Sequence, residues 1–158
     1  MRLLVGGVTV LTTATGDEKR GMTATAVCSL SAEPPRVLAC INMSGEMFRL
    51  VGQSGALTVN FLGAGHEDIA MMFGGARPSD DPLDRLQWVE GSNGAPRFSE
   101  AVAALECTVA DVFPYGTHAI VICDVQNIET NENPHPLVYV NGRFEHLAAA
   151  DHRKLDPQ

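Results

Sequence analysis

Residues 22–31 read Met22-Thr23-Ala24-Thr25-Ala26-Val27-Cys28-Ser29-Leu30-Ser31, and their alternation sets the fold class. As a strand, this stretch puts Thr23, Thr25, Ser29 and Ser31 on one face and Met22, Ala24, Ala26, Cys28 and Leu30 on the other. The apolar face is small enough for close packing inside a barrel or across an interface. The hydroxyl face donates or accepts hydrogen bonds without bulk, which suits a flat polar ring system or a phosphate. A half-exposed strand that uses threonine for its β-propensity explains the same pattern.

Strand signals continue on both sides. Val8-Thr9-Val10-Leu11-Thr12-Thr13 precedes a polar turn at 15–21, which makes a hairpin with the quoted stretch. Pro34-Pro35 blocks a helix and introduces Val37-Leu38-Ala39-Cys40-Ile41. Further strands are expected at 57–62, 105–113, 118–128, 137–140 and 143–147, the last two joined by Asn141-Gly142, a strong hairpin signal. Helical spacing occurs at Met47, Leu50 and Val51 with Ser44 as the expected N-cap, and at Ile69, Met72 and Phe73, ended by Gly74-Gly75. The polar stretch from Gly75 to Pro96 predicts a long loop with one short strand near 86–89. Many strands and two small helices predict a mainly β domain, a barrel or sandwich, across residues 1–158.

Composition bounds the function. The chain has 158 residues, with 11 Lys and Arg against 19 Asp and Glu, a net charge of −8. With no basic cluster, nucleic acid and anionic membrane are not expected as partners. No apolar run is long enough to span a bilayer, and no secretion signal is read at the start. The expected location is cytoplasmic. The four cysteines, Cys28, Cys40, Cys107 and Cys123, are then expected to be buried free thiols. The five histidines are scattered and no Cys-x-x-Cys occurs, so no metal site is expected. Gly63-Ala64-Gly65 lacks the third glycine and the βαβ rhythm of a dinucleotide fingerprint.

One ordered series of segments is more specific. It runs from Gly7–Thr13 through Gly21–Ala26, Ser29–Ser31, Pro34-Pro35, Cys40-Ile41-Asn42, Val59–Leu62 and Ile69–Phe73. It resumes at Trp88, Gly94-Ala95-Pro96, Leu105-Glu106-Cys107, Gly116-Thr117-His118 and Pro136–Tyr139. This series resembles the flavin reductase-like, split-barrel FMN-binding family over nearly the whole chain. The likeness is greatest to short reductases that feed reduced flavin to two-component monooxygenases. It implies a homodimer of six-stranded antiparallel Greek-key split barrels, with FMN or FAD in a groove near the dimer interface and NADH or NADPH as electron donor. It implies that Thr23, Ala24, Thr25, Ser29 and Ser31 contact the flavin ring, and that Cys40, Asn42 and Ser44 approach the ribityl chain and phosphate. His118 is the implied catalytic residue, placed where nicotinamide stacks, and Tyr139 is implied near the ring. Phe73 has two readings, core or nucleotide contact. An Arg-Phe pair common in the family is replaced by Asp84-Arg85-Leu86, and the match starts almost at Met1 where relatives begin with a longer helix, so that helix is shortened or the natural start lies elsewhere. An alternative within the same likeness is an FMN-binding electron-transfer flavoprotein or corrin reductase.

Overall fold

The computed structural model describes residues 2–75, 83, 88–132 and 135–147. The chain order is β1 (Gly6–Gly7), β2 (Thr9–Thr15), β3 (Glu18–Ala24), β4 (Val27–Ala32), β5 (Pro35–Asn42), α1 (Glu46–Ser54), β6 (Ala56–Phe61) and α2 (Glu67–Phe73). There follow β7 (Trp88–Glu90), β8 (Pro96–Phe98), β9 (Ala103–Tyr115), β10 (His118–Thr130), β11 (Leu137–Val140) and β12 (Arg143–His146). The expected mainly β class with two short helices holds for the described residues. Asp84-Arg85-Leu86 lies outside them.

The main sheet has seven antiparallel strands in the order β3-β2-β6-β9-β10-β5-β4. Two strands adjacent in sequence, β3 and β4, therefore stand at opposite edges. The quoted stretch is thus two strands, broken at Thr25-Ala26, instead of one continuous strand. Across the break Cys40 N–H donates to Ala26 O at 3.0 Å, which ties the start of β4 to β5. The break resets the alternation. Ala24 is buried before it, whereas Cys28 and Leu30, expected on the packed face, are exposed after it. The long strands β9 and β10 carry register shifts at Ile122/Cys123 and Val125/Asn127, and such bulges bend a sheet around its core.

Strand β2 is buried on both faces from Thr9 to Thr13, and this explains its mix of aliphatic and hydroxyl residues. Leu11 packs with Ile41, Leu57, Val59 and Val121 in one cluster. Val8 and Val10 pack with Leu62, Phe98 and Leu137 in a second. Each large aliphatic side chain buried this way contributes about 1.5–3 kcal/mol. The buried threonines are satisfied locally: Thr9 Oγ1 donates to Ala24 O at 2.8 Å, Thr13 Oγ1 to Ala56 O at 2.8 Å and Thr12 Oγ1 to Pro96 O. A smaller sheet, β1-β11-β12, sits beside the second cluster. Its hairpin turn places Asn141 at φ 53° and Gly142 at φ 83°, the paired positive φ values that the Asn-Gly signal requires.

Two expectations need correction. Helix α1 forms from its predicted apolar stripe, but its N-cap is Gly45 without a side-chain cap bond, not Ser44. The Ser44 hydroxyl donates instead to Asn42 Oδ1 at 2.9 Å, turning back toward β5. The cysteines also divide: Cys107 and Cys123 are buried, Cys40 is half-buried and Cys28 is exposed, all four as free thiols. Burial pushes the Cys107 and Cys123 thiols up to about 12, so both are inert.

Candidate functional site

A cleft of about 610 Å³ opens where α2 faces the β11–β12 hairpin, a size within the usual range for small-molecule sites. Ala70, Met71, Gly74 and Gly75 form the α2 wall, and Tyr139, Gly142, Arg143 and Phe144 form the opposite wall. Val8, Thr23 and Thr25 line it between them. The Tyr139 and Phe144 rings meet edge to face at 5.3 Å, giving the hairpin wall a rigid aromatic lining. The walls are tied together by His146 Nε2 and Glu67 Oε1, 3.1 Å apart.

Local structure explains why these residues converge. Gly6 pairs with Tyr139 across β1 and β11. A Cβ on Gly6 would lie 2.8 Å from the Thr25 Cβ, so only glycine lets Thr25 pass this close to the small sheet. The α2 wall is braced from behind. Thr23 Oγ1 donates to Ala70 O at 2.6 Å, and the Phe73 ring occupies the space over Gly21, where a Cβ would meet it at 2.6 Å. Trp88 meets Phe73 edge to face at 5.6 Å, and both rings pack against the second core cluster.

The hairpin that carries Trp88 is anchored by a buried carboxylate. Glu106 Oε2 accepts from Ser92 N–H at 3.0 Å, from the Ser92 hydroxyl and from Asn127 Nδ2 at 3.3 Å. Arg97 Nε forms an ion pair with Glu106 Oε1 at 3.2 Å. Burial alone would raise the Glu106 pKa, but the hydrogen bonds from Ser92 and Asn127 and the nearby Arg97 charge outweigh it and hold it low.

A second group of expected residues meets at the adjoining ends of β5 and β10. His118 stands across from Asn42 in the ladder, and Asn42 Oδ1 accepts from both Ser44 N–H at 3.0 Å and the Ser44 hydroxyl. Met43 N–H donates to Thr117 O at 3.0 Å, fastening this loop to the start of β10. Thr117 Oγ1 lies 2.9 Å from His118 Nδ1, a contact that orients the exposed ring. Cys40, one side-chain period before Asn42, donates its N–H to the carbonyl of Ala26, the residue after the cleft-lining Thr25.

The remaining expected residues fall elsewhere. Ser31 pairs with Arg36 at the far end of β5 from Asn42, about 20 Å away at the usual strand rise. Its hydroxyl donates to Pro34 O at 2.5 Å. Ser29 is exposed opposite Val37. Ala24 points into the core, and its carbonyl already accepts from Thr9. The four-hydroxyl face is therefore not one surface. Sequence reading also missed Gly6, Met71, Arg143 and Phe144. The Asn-Gly hairpin placed Arg143 and Phe144 on a strand, but nothing local tells that this strand faces α2. Among the described residues no group of His, Cys, Asp and Glu is arranged to hold a metal ion.

Known proteins resemble this chain in sequence and fold. The family model described as a flavin reductase like domain matches residues 1–148. A protein named FMN reductase (NADH) RutF, from Pseudomonas syringae pv. syringae, is 38% identical over 144 residues, covering 91% of this chain and 81% of the relative. The solved NADH:FAD oxidoreductase SgcE6 of Streptomyces globisporus C-1027 superposes with a TM-score of 0.87 at 34% identity, covering 93% of this chain and 89% of that one. The styrene monooxygenase flavin reductase SMOB of Pseudomonas putida S12 does so with a TM-score of 0.84 at 28% identity, covering 94% of each chain. The chain belongs to the flavin reductase-like domain family.

Proposed function

We propose that this chain is an NADH-dependent flavin reductase that reduces FMN or FAD and supplies the reduced flavin to a monooxygenase partner. The observation that carries the reading is the cleft itself: hydroxyl, aromatic and glycine-lined surfaces converge beside the very stretch that carries the family likeness. A Cβ on Gly75 or Gly142 would meet nothing within 4 Å, so backbone borders open space there, as a flat ligand requires. The residues present fit a flavin.

In the reaction, hydride passes from the nicotinamide C4 to the flavin N5, chemistry the two nucleotides bring with them. The protein's work is to hold two rings face to face. Thr25 and the Tyr139–Phe144 pair border the ring-binding surface, with Thr23 fixing the α2 wall in place. Asn42, Ser44 and the backbone around Cys40 form the polar edge leading toward His118. His118 needs no proton transfer for the hydride step. Held through Nδ1 by Thr117, it presents Nε2 to the nicotinamide carboxamide and orients the donor ring.

The working unit in this reading is a homodimer of split barrels, each chain folding as one domain over 1–158, in the cytoplasm. The outward face of β5, β9 and β10 supports the dimer: Phe113, Tyr115 and Ile120 are exposed large hydrophobics there, Ile120 stands opposite Phe113, and the Leu38–Ile122 pair comes next along β10. No helix among the described residues is long and apolar enough to cross a membrane. The test mixes purified protein with NADH or NADPH and with FMN, FAD or riboflavin, and follows loss of the reduced-nicotinamide absorbance. NADH with FMN or FAD is expected to be consumed fastest. Consumption no faster than a protein-free control for every pair would refute the reading.

A further inference from the structure

The sequence holds two Asn-Gly pairs, Asn93-Gly94 and Asn141-Gly142. An asparagine before glycine is open to attack on its own side chain, because no Cβ shields the following backbone nitrogen. The fold treats the two pairs differently. Asn93 is half-buried, and its Nδ2 donates to Leu57 O and to Cys107 O, both at 3.2 Å, while its Oδ1 accepts from Ala95 N–H at 3.1 Å. The Gly94 N–H donates to Gly91 O at 2.9 Å. Leaving group and nucleophile are both held in place there. Asn141 and Gly142 are exposed at the tip of the β11–β12 hairpin, and Gly142 lines the cleft. The Asn141 N–H donates to Arg2 O at 2.6 Å, but among the described residues no hydrogen bond engages its side-chain amide or the Gly142 N–H.

We propose that Asn141 is a spontaneous deamidation site, whose product adds a carboxylate to a cleft that has none among its described lining residues. In the step, the Gly142 nitrogen gives up its proton and attacks Asn141 Cγ. The N–Cγ bond forms, the Cγ–Nδ2 bond breaks, and Nδ2 leaves with a proton as ammonia. Water then opens the five-membered imide at either carbonyl, leaving aspartate or isoaspartate. Nothing is oxidised or reduced, and water is the co-reactant. Ring closure requires Asn141 to leave its left-handed geometry at φ 53°, which an exposed two-residue turn does by local opening while the sheet stays folded. The new charge opposes the binding of an anionic nucleotide. That consequence deepens the reductase reading and rests on it; the deamidation itself does not.

The test ages purified protein in warm, mildly alkaline buffer, native or unfolded in urea, and maps its peptides by mass spectrometry, where each deamidation adds one mass unit. Native protein is expected to convert Asn141 and keep Asn93, while the unfolded chain converts both. Native protein that keeps Asn141 while the unfolded chain converts it, or that converts Asn93 as fast as Asn141, overturns the proposal. Asn141→Gly removes the amide and keeps a residue that accepts positive φ, and it is expected to lose the acidic form that ageing builds up in the wild type on ion-exchange chromatography. Asn141→Asp is expected to bind FMN about threefold more weakly than Asn141→Gly in a fluorescence titration, the scale of one exposed charge. Equal binding by the two variants overturns the effect on the cleft. A protein that binds no flavin sinks the reductase reading and leaves the mass result standing on its own.

Discussion

Two single residues carry the chemistry of the account in different ways. His118 is exposed at the start of β10 and lies outside both core clusters, although it stands opposite Tyr115 on the proposed dimer face, so His118→Ala should leave the melting temperature within a few degrees of wild type. The same change should lower kcat/KM for NADH by about ten- to a hundredfold, the cost of misorienting one reactant ring. Steady-state kinetics beside a thermal melt checks both halves. Gly6 is the opposite case, a residue without a side chain whose role is spacing. Gly6→Ala puts a methyl 2.8 Å from the Thr25 Cβ, and overpacking of this kind costs about 1–3 kcal/mol. A lowered melting temperature together with weaker flavin binding is expected. His118 was singled out through the family likeness of Gly116-Thr117-His118, since a lone histidine at a strand start carries no local signal of function. Gly6 stayed hidden, since its importance lies in a contact with a residue nineteen positions on, made only after the small sheet forms.

At the scale of elements, the strands and both helices were legible because their signals are local: alternation, an Asn-Gly turn, apolar residues spaced three and four apart. The break inside 22–31 was not. Nothing in Thr25-Ala26 forbids a strand. What divides it is that β3 and β4 pair with β2 and β5 at opposite edges of the sheet, a demand of the whole topology. Ser29 and Ser31 were therefore expected beside Thr23 and Thr25 but pair far down β5 instead. The β7–β8 hairpin is another element placed by tertiary contact, through Glu106. Its folded pKa lies below the unfolded value, so its carboxylate contributes stability that is full above the unfolded pKa and lost as pH falls through the folded pKa. Wild-type protein should lose stability on acidification below the ordinary glutamate range, about pH 4.3. Glu106→Gln should cost roughly 3 kcal/mol at neutral pH, as breaking a buried ion pair does, and should flatten that acid loss. Urea melts at neutral and acid pH separate the two effects. An equal acid loss in both proteins would assign it to other carboxylates.

At the scale of the whole molecule, the outer side of β5, β9 and β10 exposes Phe113, Tyr115 and Ile120 among the described residues. The proposed homodimer would cover it, and Ile120→Asp should then convert dimer to monomer in light scattering while the circular dichroism stays native. A wild-type protein that runs as a monomer at micromolar concentration would remove that part of the account. The acidic charge, read first as an exclusion, fits the proposal that the ligands are held by hydroxyls and backbone in place of a basic pocket. The central claim is that this cleft brings a reduced nicotinamide to a flavin for direct hydride transfer. Its most direct measurement is an anaerobic stopped-flow mixing of protein and FMN with NADH and with NADH deuterated at either face of C4. The account predicts that the visible flavin band bleaches as the reduced-nicotinamide band falls, one flavin per NADH, with a slowing for one deuterated face only. An FMN band that keeps its full intensity while NADH persists would contradict it.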